Sequence, residues 1–182
     1  AGIGKTALLR RAGAGADDVY ITLVSKGFQH QFWQAVKVGA EQAAKAANVK
    51  ITFEGPETEA MVDKQIDMLS AALAKKPQAI GFAALDRQAA LPLLKKAQAA
   101  KIAVVAFDSG VARDIPVTTT TTDNKAAAAL AADKMAELIG KSGELALVVH
   151  DQTSRTGVDR RDGFVNRIKS TYPNIKIVSV QY

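Results

Sequence analysis

Three groups of side chains in this sequence have the types needed to hold or transform another molecule. Lys26, His30, Phe32 and Trp33 lie together after a short apolar run, Asp108 and Ser109 follow a second such run, and Ser154 to Arg160 follow a third. Carboxylate and hydroxyl oxygens accept hydrogen bonds, ammonium and guanidinium groups donate them, and aromatic rings offer flat apolar faces. These groups do not make a catalytic set: there is no nucleophile elbow, no metal-ligand spacing and no glycine-rich dinucleotide fingerprint after a strand. With no cysteine and only two histidines, His30 and His150, neither a thiolate nor a histidine cluster is available to a metal. No catalytic residue, metal or cofactor is expected, and the chemistry points to binding.

The elements that must position these groups alternate regularly. Val19, Ile21, Leu23 and Val24 give the nearly all-apolar run of a strand covered on both faces, and Ser25-Lys26-Gly27 ends it. From Phe32 onward, apolar or small residues recur at three and four positions through Val36, Gly39/Ala40, Ala43/Ala44 and Ala47, which predicts a helix. Consecutive side chains on a helix point roughly 100° apart, so Phe32 and Trp33 are not both expected in the core. Val49 to Phe53 reads as the next strand, and Glu57 to Lys76 as a helix with acidic residues first and Lys75-Lys76 last, as the helix dipole favours.

A third unit runs from a strand at Ala79 to Ala83 through Asp86, a plausible N-cap, into a helix from Arg87 to about Ala100. Ala103 to Phe107 is a fourth strand, and Ile115 to Thr122, with five consecutive threonines, is a fifth. Asp123-Asn124 caps an alanine-rich helix ended by Gly140. Leu145 to Val149 is followed by a polar loop and a helix from about Val158 to Tyr172, and Ile175 to Val180 is the last strand. Strands alternating with helices predict an α/β fold with a parallel, doubly wound sheet, in which ligands bind beyond the carboxyl ends of the strands. All three groups of side chains fall at such ends. On residue type alone, Asp108 is equally a turn aspartate, and Arg160 reads better as a solvated helix charge like Arg161.

Composition narrows the classes further. The 182 residues are 48% hydrophobic, enough for one ordinary domain or two small lobes. The net charge is +6, but the basic residues are scattered singly or in pairs, with no basic stripe interleaved with aromatics, so no nucleic-acid partner is expected. No run reaches the length of a transmembrane helix. Residues 1–16, with Arg10-Arg11 and a small-residue tail, read as a flexible or leader arm. Gly4-Lys5-Thr6 is a chance match to the tail of a phosphate-binding loop, lacking the earlier glycine and the strand before it.

Taken in order, the segment Ser25 to Trp33 followed by QAVKVGAEQAA, VVAFDSG at Val104 to Gly110, TTDN at Thr121 to Asn124 and RRDGF at Arg160 to Phe164 resemble a known family. The chain is similar to periplasmic sugar-binding proteins of the ribose- and allose-binding type, whose type I fold is shared with the ligand-sensing domains of LacI-type repressors. The resemblance covers Val19 to Tyr182.

It implies two Rossmann-like, flavodoxin-like lobes with parallel sheets, residues 17–122 forming the first lobe and 123–182 the first part of the second. It also implies capture of a small sugar or polyol outside the cytoplasmic membrane for an ABC importer permease, or alternatively the effector-binding core of a LacI-type regulator. Carried over position by position, Phe32 and Trp33 correspond to the pair that stacks on the sugar ring, and Lys26 and His30 to loop residues that bond hydroxyls. Asp108 corresponds to the carboxylate that takes two adjacent hydroxyls, and Arg160 to the clamp from the second lobe.

The chain departs from the ribose binders at Ser109, where they have arginine, and at Ala83 and His30, where they have asparagine. Family members also run on well beyond the position of Tyr182, so the resemblance implies a fragment, or a chain whose second lobe another chain completes.

Overall fold

The computed structural model describes residues 19–182. The arm at residues 1–16 and the Gly4-Lys5-Thr6 tripeptide lie outside the described residues. The chain divides into two compact units, the second running from Thr121 to Tyr182.

The first unit is a parallel sheet of five strands interleaved with helices: β1 (Tyr20–Val24), α1 (Gln31–Ala47), β2 (Lys50–Glu54), α2 (Val62–Ala74), β3 (Ala79–Phe82), α3 (Leu91–Ala99), β4 (Ala103–Phe107) and β5 (Thr118–Thr120). The strand order is β2-β1-β3-β4-β5, and every pairing is parallel. All four residues of β3 are buried, which is why the central strand reads as an uninterrupted apolar run. The core joins Val24, Ile80, Phe82 and Val104 of the sheet to Leu69 of α2 and Leu94 of α3.

Winding reverses direction between β1 and β3, so the carboxyl ends of these neighbours open a crevice suited to a ligand. One buried amide holds that edge. Gln65 of α2 donates through Nε2 to the carbonyls of Ser25 and Ala83, each at 2.8 Å, and its Oε1 accepts from the Leu85 amide at 3.0 Å. Three backbone groups just past the ends of β1 and β3 are thereby satisfied without water.

Two helices begin later than the sequence pattern predicts. Residues Glu57 to Met61 precede α2, because Glu59 is turned toward charged and aromatic neighbours instead of capping the helix. Asp86 caps a turn rather than a helix, accepting from the amides of Gln88 and Ala89. The helix starts at Leu91, with Pro92 in its first turn, where a missing N–H costs nothing. The threonine run forms only three strand residues, all exposed, on the sheet edge.

The second unit contains α4 (Asn124–Leu138), β6 (Gly143–Val148), α5 (Arg155–Thr171) and β7 (Ile175–Gln181), the two strands paired in parallel. Its core is Ala132, Ala136, Ile168 and Ile175, with Leu145, Phe164 and Ile177 against them. The alanines let α4 and α5 approach closely, and Gly163 is required at the contact because a Cβ there would run into the Lys125 backbone carbonyl. Asp123 caps α4, accepting from the Ala126 amide at 3.0 Å. Among the described residues, no helix is long and apolar enough to cross a membrane.

Gln65→Leu roughly keeps the volume but removes the side-chain partner of the Ser25 and Ala83 carbonyls and of the Leu85 amide, so it should destabilise the first unit by roughly 3 kcal/mol. Urea unfolding of the two chains measures this, and a loss within experimental error would mean water replaces the amide.

Candidate ligand-binding site

At the carboxyl edge of the first sheet, loops after three strands meet on one buried cation. Lys26, from the loop after β1, is 4% exposed, and its Nζ lies 3.4 Å from Glu59 Oε2 and 3.3 Å from Asp108 Oδ2. Glu59 comes from the loop after β2 and Asp108 from the end of β4. An ammonium removed from water this fully is tolerated because two carboxylates replace its hydration. Asp108 reaches the cation from a left-handed backbone (φ 56°), a conformation aspartate adopts more readily than most residues, and its amide donates to Thr120 O at 2.9 Å.

The aromatic part of the site grows from the start of α1. His30 is the N-cap: its Nδ1 accepts from the Phe32 amide at 3.1 Å, fixing the first turn and leaving the imidazole exposed. The two adjacent rings then diverge. Trp33 is 1% exposed, and its Nε1 donates to Glu59 Oε1 at 2.7 Å, whereas Phe32 is 48% exposed. The rings meet edge to face with centroids 4.8 Å apart, and Trp33 makes a second such contact with Phe107 at 6.3 Å.

Gly27 sits against this group, where a Cβ would lie 3.2 Å from Trp33 Cδ1 and 3.4 Å from Glu59 Cγ. Ser109 is fully buried, and among the described residues its hydroxyl has no hydrogen-bond partner. Ala83 is buried at the end of β3.

The structure thus gathers Lys26, Trp33 and Asp108 into one connected group, with Phe32 and His30 attached through the start of α1. Sequence reasoning missed Glu59, which joins the ionic and aromatic halves. Its surroundings, Glu57-Thr58-Glu59, carry the signature of an acidic first helical turn and gave no signal of this joining role.

Arg160 belongs to the second unit. Its Nε donates to Asn124 Oδ1 at 2.8 Å, and the Asn124 amide in turn donates to Thr122 O at 2.9 Å. Arg160, His150 and Phe164 line a hollow of about 460 Å³ in that unit. Arg161 is engaged differently, by Asp162 at 2.7 Å and by the Tyr182 hydroxyl at 3.0 Å.

The helix carrying both arginines is anchored at its start. Ser154 is its N-cap, its hydroxyl accepting from the Gly157 amide at 3.0 Å and donating to Asp151 Oδ2 at 2.6 Å. Burial pushes the Asp151 carboxyl up, but the Ser154 hydroxyl, the amides of Ser154 and Thr153, and His150 outweigh it and hold the group below the ordinary aspartate value. Among the described residues, no cluster of three or more histidine, aspartate or glutamate side chains is arranged to hold a metal ion.

Residues 21–182 match the periplasmic binding protein domain family. The chain belongs to that family. Its two parallel α/β units have the type I fold of these proteins. It is 25% identical over 167 residues to the D-apiose import binding protein of Actinobacillus succinogenes, an alignment covering 91% of this chain and 53% of that protein. An ABC transporter solute-binding protein of Agrobacterium vitis, solved with bound D-fucose, is 34% identical with a TM-score of 0.85, covering 90% of this chain and 57% of the other. A Brachyspira murdochii protein described as an ABC transporter, LacI family transcriptional regulator is 36% identical with a TM-score of 0.78, over 92% of this chain and 58% of the other. The chain spans about half the length of the curated relatives it matches.

A folded-state carboxyl held low contributes stability that is present above its unfolded value and is lost as pH falls through the folded one. Asp151→Asn should therefore lower the thermal midpoint at pH 7, and the gap to wild type should close as pH drops below about 4. A gap independent of pH, measured by calorimetry across that range, would contradict the anchoring role of the carboxylate.

Proposed function

We propose that the protein containing this chain captures a small sugar or polyol between two lobes, outside the cytoplasmic membrane, and delivers it to the permease of an ABC importer, without catalysis. The observation that carries this reading is the connected group on the first unit. One exposed ring, Phe32, is linked through Trp33, Glu59 and Lys26 to a carboxylate anchored at the end of a sheet strand. A flat apolar face beside a fixed acceptor matches the two surfaces of a sugar, whose C–H face is apolar and whose hydroxyls donate.

In this reading Phe32 stacks on the sugar with Trp33 as its rigid backing. Asp108 takes adjacent hydroxyls, held in aim by Lys26, the exposed His30 adds a polar contact, and Ser109, wholly buried here, reaches a ligand only if the loop after β4 shifts. Arg160, oriented by Asn124, clamps the ligand from the second lobe through its remaining guanidinium nitrogens. The family match and the sugar-binding relatives support this assignment, which concerns the whole protein. Closure would present both lobes to the permease, with the ligand selecting the closed form by touching both.

A second reading, the effector-binding core of a LacI-type regulator, draws on the likeness to the Brachyspira protein. It uses the same ligand site, and the two readings separate on the partner: a membrane permease in one, an attached DNA-binding head in the other.

The test is a thermal-shift screen against pentoses, hexoses and polyols at millimolar concentration, with D-apiose and D-fucose included. A sugar that binds only the folded state raises the melting temperature. At least one sugar should do so, Phe32→Ala and Asp108→Asn should each weaken its binding by well over tenfold, and Arg161→Ala should leave it unchanged. No shift with any sugar, from a chain that melts cooperatively, would overturn the proposal.

A further inference from the structure

The residue that joins the two halves of the site is Glu59, and nothing in a sugar's chemistry requires a carboxylate at that position. Its two oxygens do different work. Oε1 accepts from the Trp33 indole at 2.7 Å, and Oε2 lies 3.4 Å from the Lys26 ammonium, which is itself 3.3 Å from Asp108. Trp33 in turn supports the exposed Phe32 ring edge to face. A Cβ on Gly27 would press on both Trp33 and Glu59, so the glycine leaves these two side chains the space in which they meet.

We propose that Glu59 is a positioning residue of this ligand site, fixing through one carboxylate both the ring that backs Phe32 and the cation that aims Asp108. The inference rests on the sugar-binding reading and deepens it by naming what sets the geometry of the half-site.

The physical reason is competition for Asp108. With Glu59 ionised, the ammonium is shared between two carboxylates, and Asp108 keeps acceptor capacity for ligand hydroxyls. Without that charge, Lys26 has one carboxylate fewer to neutralise it and draws in on Asp108, blocking the acceptor that the ligand needs. The indole bond is separable from this effect, because a glutamine at 59 retains an oxygen for Trp33 while presenting an amide to Lys26.

Trp33 is the single tryptophan of the chain, so its emission reports the indole contact directly. The experiment titrates wild type, Glu59→Gln and Glu59→Ala with D-fucose and D-apiose and records tryptophan emission without sugar. Glu59→Gln should bind roughly tenfold more weakly or worse with Trp33 emission close to wild type, and Glu59→Ala should lose affinity and also shift the emission. Wild-type affinity in both variants, whatever happens to their melting temperatures, would reduce Glu59 to a structural residue and overturn the proposal. An unmoved emission in Glu59→Ala would overturn it through the indole arm. A wild type that binds neither sugar would count against the sugar reading, and the positioning role would then be decided by the emission arm alone.

Discussion

The first unit depends on one buried positive charge. The Lys26 ammonium is nearly inaccessible to water, and taking such a group out of solvent costs several kcal/mol unless oppositely charged partners replace its hydration. Glu59 and Asp108 supply that replacement from two different loops. The three chain segments that follow β1, β2 and β4 are therefore held by charge, while the Gln65 amide holds the ends of β1 and β3 by neutral hydrogen bonds. Loops at the edge of a sheet are ordinarily its least constrained part. Here they are tied together by ion pairs and hydrogen bonds.

That network suits the ligand recognition proposed for the site. Recognition of hydroxyls requires acceptors and donors fixed in advance, since every side chain that must be ordered on binding subtracts from affinity. Phe32 is braced by Trp33, Trp33 by Glu59 and Phe107, and Asp108 by Lys26 and its own amide. The second unit repeats the approach with different residues: Arg160 is aimed by Asn124, and the start of its helix is tied down by Ser154 and Asp151. In both units the side chains proposed to meet the ligand are oriented by residues that need not touch it.

How much of this was legible in the sequence follows from how each feature is encoded. The strands β1, β3 and β4 are readable because a strand covered on both faces must be apolar throughout, and Ala79–Phe82 shows no polar break. That Phe32 and Trp33 go different ways follows from helical geometry, but which ring turns inward does not, since both are large and apolar and the choice depends on Glu59. Glu59 itself was hidden because acidic residues before an apolar helix ordinarily serve the helix dipole, a local rule that a tertiary contact overrode. Gln65 was hidden for a related reason: its three backbone partners lie 18 to 40 residues away. Asp123, by contrast, was readable as a cap because the capping bond is local. Lys26, Asp108 and Arg160 could be placed at strand ends from the alternation of elements, but their individual roles came only from the order and spacing of the motifs around them.

The central claim, that Lys26 and Asp108 act as one buried unit, is tested most directly by a double-mutant cycle. Stabilities of wild type, Lys26→Met, Asp108→Asn and the double variant, measured by urea unfolding, give the coupling free energy between the two side chains. We expect each single change to be costly, the double variant to be less damaging than the sum of the two, and a coupling above about 1 kcal/mol. Additivity within about 0.5 kcal/mol would contradict the claim and reduce the contact to proximity without energetic consequence.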